Sequence, residues 1–229
     1  MSTRWAVWFV VEGDARFLSH HDMMRLMERA AARAELPLKY SQGFNPRPRL
    51  SLALPRPVAV SSRCELLVLE FASPASGPDW AQRLSESLPE GIEVQRAEPL
   101  PAGSRPQVAG ATYELPIDGP ERARVEQRIE SLRRQDRWEI ARETTDPRGR
   151  RAPTLRTIDI KGRVGDLGIS GEKLTFTIRA GQSGSARPAE VLALLGPTPE
   201  QPLARPAAGE LLAKLMRTGM DVQYQPKTE

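Results

Sequence analysis

The chain has 229 residues, 39% hydrophobic and 27% charged, enough to fill a packed core and too apolar for wholesale disorder, and its length favours two compact domains. Aromatic residues make up only 5%, which argues against a broad surface of base-stacking platforms, while a formal charge of +4 and a pI near 9.6 permit attraction to a polyanion without requiring it. One cysteine, Cys64, and two adjacent histidines, His20 and His21, cannot build an internal disulfide, a tetrahedral zinc site or an iron–sulfur cluster, so no metal or cofactor is expected in this chain.

Residues 5–11 (Trp-Ala-Val-Trp-Phe-Val-Val) predict a buried strand, ended by the turn Glu12-Gly13-Asp14. The run is far short of a secretory core or a membrane span, and nothing else is long and apolar enough, so a cytoplasmic location is expected. Ser19 reads as a helix N-cap with Asp22 in the reciprocal capping position, and the helix extends to about Ala34. Met23, Leu26, Met27, Ala30 and Ala34 share the face that packs on a sheet, whereas Arg25, Arg29 and Arg33 recur every four residues on another. Pro37 ends the helix. Residues 38–41 are extended, and the turn formers from Gln42 to Arg49 make a loop. Strands at 50–54 and 64–71, a helix at 80–88 and a strand at 92–97 complete the order β-α-β-β-α-β. That is the ferredoxin-like arrangement, an antiparallel sheet with helices on one face.

Residues 99–110 carry three prolines and two glycines and read as a linker after a first domain of residues 1–98. Residues 111–200 repeat the order loosely, as a second ferredoxin-like domain. A strand at 113–117 leads to a helix opened by Pro120, whose Val125, Ile129 and Leu132 share a face. Trp138 and Ile140 lie on a strand, and a charged loop at 143–154 contains Arg148-Gly149-Arg150-Arg151. Strands follow at 155–160 and 174–178, then a short capped helix at 187–196. Residues 201–229 are expected to be a helical tail, with its helix near 207–218. The fold class expected is α+β.

Two side chains could carry acid–base chemistry. His20 stands at the start of the first helix beside Asp22, with Arg16 and Arg25 near in sequence. It is suited either to act as a general base on a ribose hydroxyl or simply to pack at the helix start, and Asp22 serves equally as a capping carboxylate. Nine basic residues fall between Arg16 and Arg63, and Arg16, Arg25, Arg29, Arg47 and Arg49 are the candidate phosphate ligands among them. The loop holding Ser41, Gly43, Phe44, Asn45 and Pro46 either brings backbone close to a phosphate or a partner strand, or stiffens the strand that follows. Phe17 and Phe44 read as core or loop anchors more than as base stackers. Cys64 reads as a packed thiol, having no histidine near it in sequence.

The run Arg16-Phe17-Leu18-Ser19-His20-His21-Asp22 to Arg25, then Ser41-Gln42-Gly43-Phe44-Asn45-Pro46-Arg47-Pro48, then Ser51-Leu52-Ala53-Leu54-Pro55, resembles an uncharacterised family of radical-SAM-linked (S-adenosylmethionine-linked) bacterial domains. The chain has His21 where that family commonly has leucine, and Arg47 where it often has histidine. The resemblance implies a partner more than a reaction. Such domains are fused to, or encoded beside, a radical S-adenosylmethionine protein, often near ribonuclease and ribosomal protein genes. S-adenosylmethionine and an iron–sulfur cluster would then belong to the partner, since one cysteine cannot hold the cluster. The function expected is an RNA-binding accessory protein of a radical SAM RNA-modification enzyme, with no membrane partner and no catalysis required of this chain. Two alternatives stay open: a metal-independent endoribonuclease using His20, and a protein–protein adaptor that touches no RNA.

Overall fold

The computed structural model describes residues 3–73, 79–144, 154–181, 184–196 and 205–226. The fold is mixed α+β with mostly antiparallel strands, and the chain divides into two units, Met1–Ala109 with Met216–Glu229, and Gly110–Leu215.

The first unit contains β1 (Thr3–Val11), a 3₁₀ turn (Gly13–Phe17), α1 (His20–Arg33), β2 (Leu50–Leu52), β3 (Ser61–Phe71), α2 (Trp80–Glu86) and β4 (Ile92–Pro99). This is the β-α-β-β-α-β order the sequence predicts. β1 is antiparallel to both β3 and β4, and β2 lies antiparallel on the other edge of β3. Because side chains alternate along a strand, the sheet has two differently built faces. Val7, Phe9 and Val11 of β1 and Leu67, Leu69 and Phe71 of β3 meet Met23, Leu26, Met27, Ala30 and Ala31 of α1, with Trp80 and Leu84 of α2. Trp80 sits edge-on to Trp5 and Phe71, with centroids 5.2 and 5.1 Å apart. The other face carries Ala6, Leu66, Val68 and Leu100 and faces no helix of this unit. Met220 and Val222 pack on it instead.

Those two residues belong to a strand the sequence reading did not contain. The expected helical tail is a ten-residue helix followed by an eleven-residue strand, β10 (Met216–Pro226), which begins in parallel register with Ser61 and Ser62 of β3. Met220, Val222 and Tyr224 alternate, and the Tyr224 hydroxyl donates to Glu98 of β4 at 3.1 Å. The expected linker also differs. Pro101 and Gly103 make a turn, closed by the Ser104 amide on the Pro101 carbonyl at 3.1 Å, and β5 (Ser104–Pro116) starts there. The unit boundary falls inside that strand, at 109/110.

The second unit departs from the expected repeat. After the end of β5 come α3 (Gly119–Arg133), β6 (Glu139–Thr144), β7 (Thr154–Asp159), β8 (Val164–Ser170), β9 (Lys173–Arg179), α4 (Pro188–Leu194) and α5 (Arg205–Lys214). Four strands separate its helices where a ferredoxin-like order needs two. β9 lies between β5 and β8, while β6 and β7 form a separate hairpin. The unpredicted strand β8 contains Gly165 and Gly168, which lower strand propensity. Val125, Ile129 and Leu132 are buried along α3 as their spacing predicts, and Tyr113 stacks on Phe176 with centroids 5.4 Å apart. Arg142 of β6 grips Glu190 of α4 through two bonds of 2.6 Å. The Arg148–Arg151 cluster lies outside the described residues.

Candidate nucleic-acid interface

The turn from Gly13 to Leu18 is fixed by one buried cation. Arg56 is 9% exposed and donates to the carbonyls of Arg16 at 2.7 Å, Val60 at 2.5 Å, Leu18 at 3.3 Å and Ala15 at 3.4 Å. Burial draws its pKa below the usual value, the Glu65 carboxylate opposes that shift and Arg217 adds to it. So Arg56, one of the nine basic residues counted in the sequence, is a brace and not a surface charge. The turn it holds presents Phe17, half exposed, with the Arg16 guanidinium 4.7 Å over its ring. Arg16 also donates to the Gly13 carbonyl at 3.2 Å.

The helix start is built as the sequence implies. Ser19 is the N-cap; its hydroxyl accepts from the Asp22 amide at 3.2 Å and donates to the Asp22 carboxylate at 2.7 Å. Asp22 is therefore engaged by Ser19. His20 shares that turn, but its Nδ1 is buried without a hydrogen-bond partner among the described residues, and its ring meets His21 edge-on at 5.9 Å. The two candidate catalytic side chains are neighbours with no bond joining them.

The loop of turn formers is a hairpin closed at its base. The Ser41 amide donates to the Arg47 carbonyl at 2.8 Å, the Arg47 amide to the Ser41 hydroxyl at 3.0 Å, and the Arg49 amide to the Lys39 carbonyl at 2.7 Å. Gly43, at a φ of 135°, allows the tip to turn. Residues 42–47 are exposed, and Phe44 is 102% exposed, so it anchors no core.

The nine cations do not share one face. Arg25 and Arg29 are exposed on α1, on the helix side of the sheet. Arg63 faces Glu12 at 3.8 Å, Lys39 and Arg49 hold Glu70 at 2.9 and 3.6 Å, and Arg33 donates to the Ser87 carbonyl. Arg25, Arg29 and Arg47 have no ion pair or side-chain hydrogen bond among the described residues. Arg49 lies on the helix-free face, where a cleft of about 460 Å³ brings it together with Arg4 and Arg105. The sequence reading singled out neither. Arg4 sits two residues before Ala6 on the same strand face, a spacing that could have placed it, whereas Arg105 was hidden in the supposed linker.

Behind this surface lies a charge pair taken out of water. Arg217 of β10 meets Glu65 of β3 at 2.9 Å, with side-chain exposures of 1% and 4%, and donates to the Pro55 carbonyl at 2.9 Å. Cys64 is next to it. Burial pushes the thiol from 9.0 up to about 11, a Ser62 hydrogen bond opposes, the Glu65 carboxylate adds and Arg217 opposes. A rise of that size leaves about 100-fold fewer thiolates near neutral pH. Cys64 is expected to react with iodoacetamide about 100-fold more slowly than an exposed thiol at about pH 8, the rate rising as pH approaches its pKa. Alkylation of the native protein as fast as that of free cysteine would contradict this burial.

Among the described residues, no group of three or more His, Cys, Asp or Glu side chains is placed to hold a metal ion, and no helix is long and apolar enough to cross a membrane. The pattern of a family described as uncharacterised proteins conserved in bacteria (DUF2344) matches residues 4–188. No curated protein matches the chain.

Proposed function

We propose, for a chain that belongs to the DUF2344 family of uncharacterised bacterial proteins, that it is an RNA-binding accessory protein acting with a radical S-adenosylmethionine RNA-modification enzyme. The observation that carries the RNA half is the bonded hairpin, which holds Phe44 wholly in solvent near Arg47, a cation with no ion pair among the described residues. An aromatic ring on a stiffened tip loses little entropy on stacking, and a neighbouring guanidinium matches a phosphate. Arg25 and Arg29 add two exposed cations on α1 with no ion pair among the described residues. The enzyme half is supported by the resemblance of the three sequence motifs, and a chain with one cysteine would leave any cluster chemistry to that partner. The first unit is read as a ferredoxin-like domain on the antiparallel strand order β4-β1-β3-β2, to which β10 adds a short parallel pairing with β3.

Crosslinking in cells, followed by sequencing of the bound RNA, tests the reading. One dominant RNA, recovered together with the radical S-adenosylmethionine protein, is the expected result; a protein that crosslinks to no RNA contradicts it. In solution, Phe44→Ala is expected to weaken single-stranded RNA binding by about 1–3 kcal/mol while leaving its salt dependence unchanged, because stacking releases no counterions. Unchanged affinity in that variant would remove Phe44 from the interface.

A further inference from the structure

The cleft on the helix-free face has a composition that calls for an anion. Its wall is a row of side chains set by sheet register. Arg4 of β1 lies directly across from Glu70 of β3, and Arg49, just before β2, reaches the same carboxylate from the other side at 3.6 Å. One step along, Ser51 pairs with Val68, and Ala53 and Val68 line the cleft with it. Arg105 and Pro106 of β5 close the opposite side. Arg4, Arg49 and Arg105 thus line a cleft whose one carboxylate, that of Glu70, is held by Arg49 and by Lys39 at 2.9 Å. Arg4 is held in place by donating to the Ser104 carbonyl, whereas Arg105 is exposed and has no partner among the described residues.

We propose that this cleft is a phosphate-binding site, and that, resting on the RNA reading above, the phosphates it receives are those of the RNA backbone. Planar guanidiniums on two sides offer paired N–H groups in the geometry that phosphate oxygens accept, and the Ser51 hydroxyl adds a neutral donor. Glu70 is held by Lys39 at 2.9 Å and Arg49 at 3.6 Å, so the one carboxylate that lines the cleft is offset by these two cations. The apolar Ala53, Val68 and Pro106 suit the sugar edge that accompanies a phosphate, and a volume of about 460 Å³ accommodates both.

The test uses the full chain and the variant Arg49→Gln/Arg105→Gln, both side chains being exposed, with circular dichroism as the check on folding. Each protein is titrated with inorganic pyrophosphate and, separately, with a labelled single-stranded oligoribonucleotide. The wild type is expected to bind both, pyrophosphate is expected to compete with the RNA, and the variant is expected to lose about tenfold or more in affinity for each. RNA affinity lost through Arg25→Gln/Arg29→Gln but untouched in the cleft variant overturns the cleft and leaves the RNA reading standing. Pyrophosphate bound and lost in the variant, with no RNA bound by the wild type, upholds the phosphate site and overturns its RNA source. A wild type that binds no pyrophosphate overturns the site.

Discussion

Replacing Arg217 with alanine is expected to cost about 3–5 kcal/mol of stability, because it strands the Glu65 carboxylate in the interior. The pair is 1% and 4% exposed, so water cannot take over the lost hydrogen bond, and the Pro55 carbonyl loses its donor as well. The loss is larger than the pair's own net worth, since desolvation of both charges offsets most of their attraction. Replacing both partners with apolar side chains, Glu65→Leu with Arg217→Met, is accordingly expected to recover most of the deficit. Urea unfolding monitored by tryptophan fluorescence reads this directly, as Trp5, Trp8 and Trp80 all belong to the first unit. A loss below about 1 kcal/mol in Arg217→Ala, the range of an exposed ion pair, would mean that β10 is not seated against β3.

The second large effect concerns charge. Arg25, Arg29 and Arg47 are exposed cations without acidic partners among the described residues, so each is available to displace a counterion from RNA. The triple change to glutamine is expected to lower single-stranded RNA affinity by about 100-fold at about 0.1 M salt and to flatten the log–log salt slope by about 2. Glutamine keeps the helix propensity of α1 and most of the side-chain length, which isolates the charge. Full affinity in the triple variant would show that these three arginines are ordinary solvated surface.

Much of the first unit was legible because its signals are local. The Ser19 cap, the helical spacing of Met23, Leu26, Met27 and Ala30, and the apolar run of β1 each state their structure within a few residues. What was not legible depends on partners far away in sequence. β10 finds β3 across more than 150 residues, as Arg217 and Glu65 do, and its alternation of Met220, Val222 and Tyr224 follows directly on a helix that masks it. Prolines and glycines at 99–110 resemble a linker locally, yet β5 forms there once neighbouring strands are present. The candidate site shows the same division. Arg25, Arg29 and Arg47 stand in solvent as charge alone suggests, whereas Arg56 is buried, because only the folded chain surrounds a cation with five carbonyls. Arg49 was selected from sequence, but the face it shares with Arg4 and Arg105 follows from strand register.

The central claim is that this chain holds RNA through phosphate contacts made by arginines of its first unit. It is tested most directly by measuring the affinity of the purified full chain for a labelled single-stranded RNA across a salt series. With Arg25, Arg29 and Arg47 engaged, the logarithm of affinity is expected to fall with the logarithm of salt at a slope of about −2, and at about −4 where the strand also reaches the three cleft arginines on the opposite face. Absence of binding at low salt, or an affinity that does not change with salt, would contradict the account.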